Sequence, residues 1–168
     1  MLAQGLILFV LPALLVAAAA YDAASFTIPN RIQAGLLAAF VTFSLAVPLG
    51  TEAFAMHVLA GFVGLAIGFT LFALGYVGGG DAKLFACVTL WLGLSSILDY
   101  AITASLFGGL LTLMLLALRR IPLPQTLAAQ GWIARLHDHR SGIPYGIALS
   151  LAALTILPHT DVFARGLG

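Results

Sequence analysis

The sequence predicts an all-α, polytopic membrane protein with about six transmembrane helices in a single domain over residues 1–168, and three observations lead there. Hydrophobic residues make up 62% of the chain and charged residues 8%, against about 25% charged in soluble domains, and mean hydropathy is +1.12. The apolar residues gather in runs long enough to cross a ~30 Å hydrocarbon core as helices rising about 1.5 Å per residue. The connections between runs are short, and they hold prolines, glycines and nearly all of the charges. The same composition excludes other classes. A net charge of +1 without an Arg/Lys stripe leaves nothing to track phosphates, so no nucleic-acid partner is expected. Cys87 is the sole cysteine, which rules out an intrachain disulfide and a Cys-rich zinc site; it is read as a small apolar filler.

The first run, residues 5–21, is just long enough to cross, with Pro12 a candidate kink. Its alanine-rich end fits a cleaved signal peptide, but there is no positive n-region, and cleavage would strand Asp22 at a free N-terminus. It is read as a retained helix. Residues 22–31 form a short polar connection in which Pro29 bars helix at Ile28 and suits a helix start at Asn30 and Arg31. The second run, 31–48, is closed by Pro48 and Gly50, and Thr51 and Glu52 make a turn. The third, 54–77, carries Gly61, Gly64 and Gly68, the last two at the GxxxG spacing that lets helices pack closely in lipid. His57 at its start is read as an interfacial or hydrogen-bonded residue. The fourth run, 82–94, is short for a full crossing and is expected to begin within the preceding glycine turn or to tilt into a wet cavity, where irregular backbone is tolerated. After the turn at Ser95–Asp99, the fifth run spans 100–118 and ends at Arg119 and Arg120. Residues 119–142 are the one long polar loop. Its His137-Asp138-His139 cluster is a poor metal set and is read as solvated, so neither a metal nor another cofactor is expected. The sixth run, 143–158, opens with Ile143-Pro144-Tyr145-Gly146 and is followed by a tail holding His159, Asp161 and Arg165.

Two carboxylates stand out. Asp81 follows Gly78-Gly79-Gly80 at the end of a long apolar run, where a charge near the bilayer core costs about 2.5–3.5 kcal/mol unless it is wetted, paired or protonated. The glycines leave little bulk between it and an incoming peptide. Asp22, after the first run, suits it as a partner. Two carboxylates that meet cannot easily both ionise, so one keeps its proton, giving a general base and a general acid in one site, the apparatus of an aspartyl protease. Counting six crossings puts Asp22, Asp81 and the Pro144-Tyr145-Gly146 segment on one membrane face. With that face cytoplasmic, six of the seven Lys and Arg residues lie inside and only Arg165 outside, the arrangement the positive-inside rule favours; both termini then lie on the opposite side.

Together these residues resemble the type IV prepilin peptidases, aspartyl proteases of the GxGD type, and in particular the short form serving tight-adherence (Flp) pili. The likeness rests on Asp22 followed by Ile28-Pro29-Asn30, on Gly78, Gly80, Asp81 and Lys83, and on Pro144-Tyr145-Gly146. The resemblance implies a multi-pass protein of the bacterial inner membrane whose catalytic pair is Asp22 and Asp81. It also implies a pilin precursor as substrate, its leader cut after a glycine at the cytoplasmic face. Longer members add a cysteine-bearing domain and methylate the new N-terminus, whereas this chain has neither the cysteines nor the room, so cleavage without methyl transfer is expected. Basic residues common between the first aspartate and IPN are replaced here by Ala23-Ala24-Ser25-Phe26-Thr27. Lys83 is read as a headgroup anchor in preference to a tuner of the pair, and Tyr145 as an interfacial tyrosine that offers a hydroxyl.

Other readings stay open. A peptidase of the same chemistry could serve preflagellin. The presenilin and signal-peptide-peptidase group shares Tyr21-Asp22 with GxGD but is longer and lacks IPN. A small proton-coupled transporter could use two membrane aspartates as a relay, but no second break like Gly78–Asp81 occurs in the other half. A purely structural subunit would need neither aspartate.

Overall fold

Length separates the helices that are long enough to cross alone from those that are not. The computed structural model describes residues 1–168 and is helical throughout, without a β-strand. Three helices are long and apolar enough to span a membrane: α1 (Leu2–Ser25), α3 (Thr51–Ala73) and the segment Leu94–Leu118, a short 3-10 turn leading into α5 (Ile97–Leu118). α2 (Asn30–Ala46) has 17 residues and α4 (Gly79–Leu92) has 14, so each falls short of a ~30 Å core at about 1.5 Å per residue. Two small helices, α6 (Gln125–Ala128) and α7 (Gly131–His137), sit in the polar loop. Finally, α8 (Tyr145–Ile156) continues to His159 and meets α9 (Asp161–Leu167) at 63°, a bent pair that counts as a fourth span if taken together. Helices occupy all six apolar runs, while length supports three crossings, or four with the bent pair.

Pro12 does not break α1. Its ring would crowd the carbonyl four residues back, and the turn before it, Leu6–Val10, widens to a π-helix that absorbs the misfit. α1 also runs further than its apolar run. Ala23 and Ala24 favour helix, the Ser25 hydroxyl donates to the Tyr21 carbonyl at 2.7 Å, and the helix stops only where Phe26 turns left-handed at φ 55°. Asp22 therefore lies in the last turn of α1 rather than in a loop. The connection shrinks to residues 26–29, with Pro29 extended at ψ 139° and α2 beginning at Asn30.

α4 is the central helix. A helix apolar on every side has to be covered on every side, and α4 packs against α2, α3 and α8. Leu84, Val88, Thr89 and Trp91 are all but fully buried, and the Trp91 indole N–H donates to the Leu36 carbonyl of α2 at 3.0 Å. α3 lies on α4 along the glycines noted in the sequence. A Cβ on Gly64 would stand 2.0 Å from Thr89 Oγ1, and one on Gly68 would stand 2.8 Å from the Ala82 carbonyl oxygen. Only a residue without a side chain lets the two backbones come this close. α3 has few other neighbours, so it stands as an outlying rod beside the bundle. His57 at its start is buried and bonds through Nδ1 to the Leu90 carbonyl at 2.9 Å.

Charges separate along the bundle. At the end where α4 finishes, Glu52, His57, Asp161 and Arg165 border an open cavity of about 840 Å³. At the end where α4 begins, the polar loop is folded back on itself. Buried Arg119 donates from Nε to the Leu136 carbonyl at 2.8 Å and from a terminal nitrogen to the Gly142 carbonyl at 2.9 Å, while the His139 ring bonds the Arg119 carbonyl at 3.1 Å.

Candidate active site

Three helix ends converge at the start of α4. The first four amides of any helix lack partners within it, so a helix start is a ready donor array. Asp81 is the third residue of α4, and its Oδ2 accepts from the Gly78 amide at 3.1 Å, closing the first turn of its own helix. Pro144 precedes α8 and cannot continue a helix backwards from Tyr145, so α8 starts there and Gly146 presents one of its free amides. That amide donates to Asp22 Oδ2 at 2.6 Å, a bond joining residues 124 positions apart. The Asp22 carboxylate lies close enough to Asp81 to feel its charge, and the Gly146 amide is within reach of Asp81 as well. Both residues are more than nine-tenths buried, at 3% and 8% exposure.

The remaining oxygen decides what the site can do. Asp81 Oδ1 is buried and has no hydrogen-bond partner. An orphaned carboxylate oxygen is costly to keep, and Asp81 belongs to the wall of a polar cleft of about 310 Å³ that Asp22, Thr27, Ile28, Asn30 and Lys83 also line. Lys83 reaches across the cleft mouth, donating from Nζ to Asn30 Oδ1 at 3.0 Å, so it ties α4 to the first residue of α2 in addition to reaching the surface.

Ile28 explains two of the glycines. A Cβ on Gly80 would approach both Ile28 Cβ and its backbone nitrogen at 3.3 Å, and one on Gly146 would meet Ile28 Cδ1 at 2.8 Å and Asp22 Oδ2 at 2.8 Å. The buried isoleucine fills the gap between the starts of α4 and α8, and side chains at either glycine would push it out. Residues from all three sequence motifs thus meet at one end of the bundle.

Residues 9–113 match the type IV leader peptidase family, over more than half of the chain. The chain belongs to the type IV leader peptidase family. It is also 33% identical over 126 residues to the "Prepilin leader peptidase/N-methyltransferase" of Dickeya chrysanthemi, a match covering 71% of this chain and 44% of that protein. The chain therefore spans less than half the length of this curated relative. No solved structure matches. The family match takes in Asp22, Ile28-Pro29-Asn30 and Gly78–Lys83 and ends before Pro144, so the Gly146 amide joins the leader-peptidase motifs from outside the matched region.

Three residues at this candidate site carry no motif signal. Gln33, one turn after Asn30 in α2, is 5% exposed and donates from Nε2 to the Gly80 carbonyl at 3.4 Å, while its Oε1 is buried and unpartnered. Arg135, in α7, donates to the Ala24 carbonyl at 2.9 Å, satisfying one of the open carbonyls at the end of α1 beside Asp22. Arg31 bonds the Tyr21 hydroxyl and lies over its ring, with the guanidinium carbon 5.0 Å from the centroid. Gln33 was legible as a lone amide inside an apolar run. Arg135 was not, because its partner is 111 residues away.

Proposed function

We propose that the protein is an aspartic endopeptidase of the bacterial cytoplasmic membrane, which removes the leader from Flp-type prepilins at the cytoplasmic face without methylating the new N-terminus. The observation that carries this reading is the placement of two buried carboxylates, Asp22 and Asp81, on one polar cleft at the end of an apolar bundle. Family membership supports a leader peptidase, and the name of the Dickeya relative supports a prepilin as client. Arg31, Lys83, Arg119 and Arg135 gather at the cleft end, which favours a cytoplasmic orientation for it.

In this reading one carboxylate is ionised and its partner protonated. The ionised one takes a proton from water as the water oxygen attacks the scissile carbonyl carbon, and the partner gives its proton to the carbonyl oxygen as charge develops there. Collapse of the tetrahedral intermediate breaks the C–N bond as one of its hydroxyls returns a proton to the partner carboxylate, and the proton first taken from water passes to the leaving amine. The Gly146 amide holds the Asp22 carboxylate in place through both steps. Gly78, Gly80, Asn30, Pro29, Ile28, Pro144 and Tyr145 shape the cleft, and Lys83 closes its mouth.

The test is leader cleavage by Asp22→Asn, Asp81→Asn and the double variant, assayed on a purified prepilin in detergent across pH. An amide keeps the shape and can act neither as base nor as carboxylic acid. Each single change is expected to lower turnover by several orders of magnitude, and the double change by little more, because the pair acts as one unit. The wild-type rate should fall at both pH extremes, where the pair is fully protonated or fully ionised. A folded single variant with near wild-type turnover overturns the aspartyl-protease reading and restores the transporter or structural readings.

A further inference from the structure

Arg119 is a buried cation without a counter-ion. It follows the last residue of α5, is 6% exposed, and spends its guanidinium on two backbone carbonyls, those of Leu136 and Gly142. No carboxylate lies within ion-pair distance of it, and Asp138, the one acid of the loop 119–142, accepts instead from the Arg140 amide at 2.9 Å. Carbonyl dipoles ease the burial of a guanidinium but leave its full charge in place, and a buried charge is costly until it is paired. The second terminal nitrogen of Arg119 has no hydrogen-bond partner in the protein.

The same residue belongs to the wall of an apolar hollow of about 330 Å³, which Leu118, Ile121, Leu123, Leu127, Ile133 and Leu136 also line. The hollow sits where α5 ends its membrane-spanning stretch. Leu118 lines it and is exposed, as are Leu113, Met114 and Leu116 before it, so the hollow continues into the lipid-facing surface of α5 at headgroup level. We propose that the loop 119–142 docks an anionic phospholipid of the adjoining leaflet, with the lipid phosphate at Arg119 and the upper part of one acyl chain in the hollow. The charge requires an anion and the walls require hydrocarbon, and an anionic lipid carries both in one molecule. A free phosphate would leave the walls bare, and a zwitterionic lipid brings its own cation beside the phosphate. The site stands apart from the cleft of the two aspartates but touches its support. Arg119 holds the carbonyl of Leu136, and the neighbouring Arg135 bonds the Ala24 carbonyl beside Asp22, so a lipid seated here braces that end of α1.

The experiment uses the purified full chain, delipidated in detergent and offered phosphatidylglycerol or phosphatidylcholine with the same acyl chains, with bound lipid counted by native mass spectrometry. Wild type should retain phosphatidylglycerol at least about tenfold more tightly, the difference that one charge-assisted contact makes. Glycerol phosphate, the headgroup without chains, should not displace it at equal concentration. Leu127→Glu, at a half-exposed position in α6, places a carboxylate in the wall of the hollow; it should abolish the preference, whereas Leu127→Gln should keep it. Arg119→Gln should lose it as well. Phosphatidylglycerol should also raise the melting temperature of wild type and leave that of Leu127→Glu unchanged, because only a protein that binds the lipid is stabilised by it. Equal retention of the two lipids by wild type, displacement by glycerol phosphate, an unchanged preference in Leu127→Glu, or an equal loss in Leu127→Gln overturns the lipid site.

Discussion

Replacing Gly146 with alanine tests whether the amide of α8 positions Asp22. In a helix the change alone favours alanine by about 1 kcal/mol, so the surroundings decide the sign. The new Cβ would stand 2.8 Å from Asp22 Oδ2, 2.8 Å from Ile28 Cδ1 and 3.0 Å from Asp22 Cβ, all inside van der Waals contact. Neither neighbour is free to yield, because Asp22 is in a helix and Ile28 is packed against Gly80. Overpacking of this kind costs about 1–3 kcal/mol. Moving the carboxylate away also loses the 2.6 Å bond from the Gly146 amide, and a hydrogen bond to a charged group contributes about 1.5–3 kcal/mol. Less the helix-propensity gain, the net destabilisation is about 1.5–5 kcal/mol. For catalysis the displacement matters more than the stability, since a shift of about 1 Å in a reacting group costs on the order of 10²-fold in rate. Gly146→Ala should therefore insert in the membrane, melt below wild type and cleave leader about a hundredfold more slowly in kcat/KM. Gly109→Ala, inside α5 where an added Cβ meets nothing within 4 Å, should leave cleavage unchanged and melt at or slightly above wild type. Cleavage by Gly146→Ala within threefold of wild type, with an unchanged melting temperature, would refute the positioning argument.

Two further outcomes follow from the packing and from the charges. Gly64→Val should lower the melting temperature by forcing α3 off α4, since even its Cβ would overlap Thr89 Oγ1 at 2.0 Å; adding Thr89→Ala should recover part of the loss, and full stability of Gly64→Val alone would contradict the close helix approach. With the loop 119–142 cytoplasmic, a cysteine placed at exposed Gln130 should resist a membrane-impermeant thiol reagent on intact cells and react after permeabilisation, against little background from buried Cys87; labelling of intact cells would reverse the orientation.

Much of this architecture is written locally. Pro29, Pro48 and Pro144 mark helix boundaries where φ and the missing amide demand them, and the glycines of α3 show in their spacing the face that meets α4. Hydropathy is less informative where a charge ends a run. It ends the first run at Tyr21, while helix propensity and the Ser25 hydroxyl carry α1 four residues further and turn Asp22 from a loop residue into a helical one. It also cannot say whether a 14-residue helix such as α4 crosses, because that depends on the neighbours covering it. Within the site, the motif carboxylates and glycines could be named from sequence because special backbone and misplaced charge are visible there. Their contacts could not, since the bond from Gly146 to Asp22 and that from Arg135 to Ala24 each close a gap of more than a hundred residues.

Ile28 performs no chemistry, yet its thickness works as a spacer. It stands between the backbone of Gly80, next to Asp81, and that of Gly146, whose amide holds Asp22. The spacing between the starts of α4 and α8, which carry Asp81 and the Gly146 amide, therefore has the width of one branched aliphatic side chain as its filler. Protein interiors pack as densely as organic crystals and hardly compress, so a squeeze from the bilayer, through lateral tension or a change in thickness, meets a rigid stop before it reaches the carboxylates. A soft spacer in the same place would let the mechanical state of the membrane retune the site.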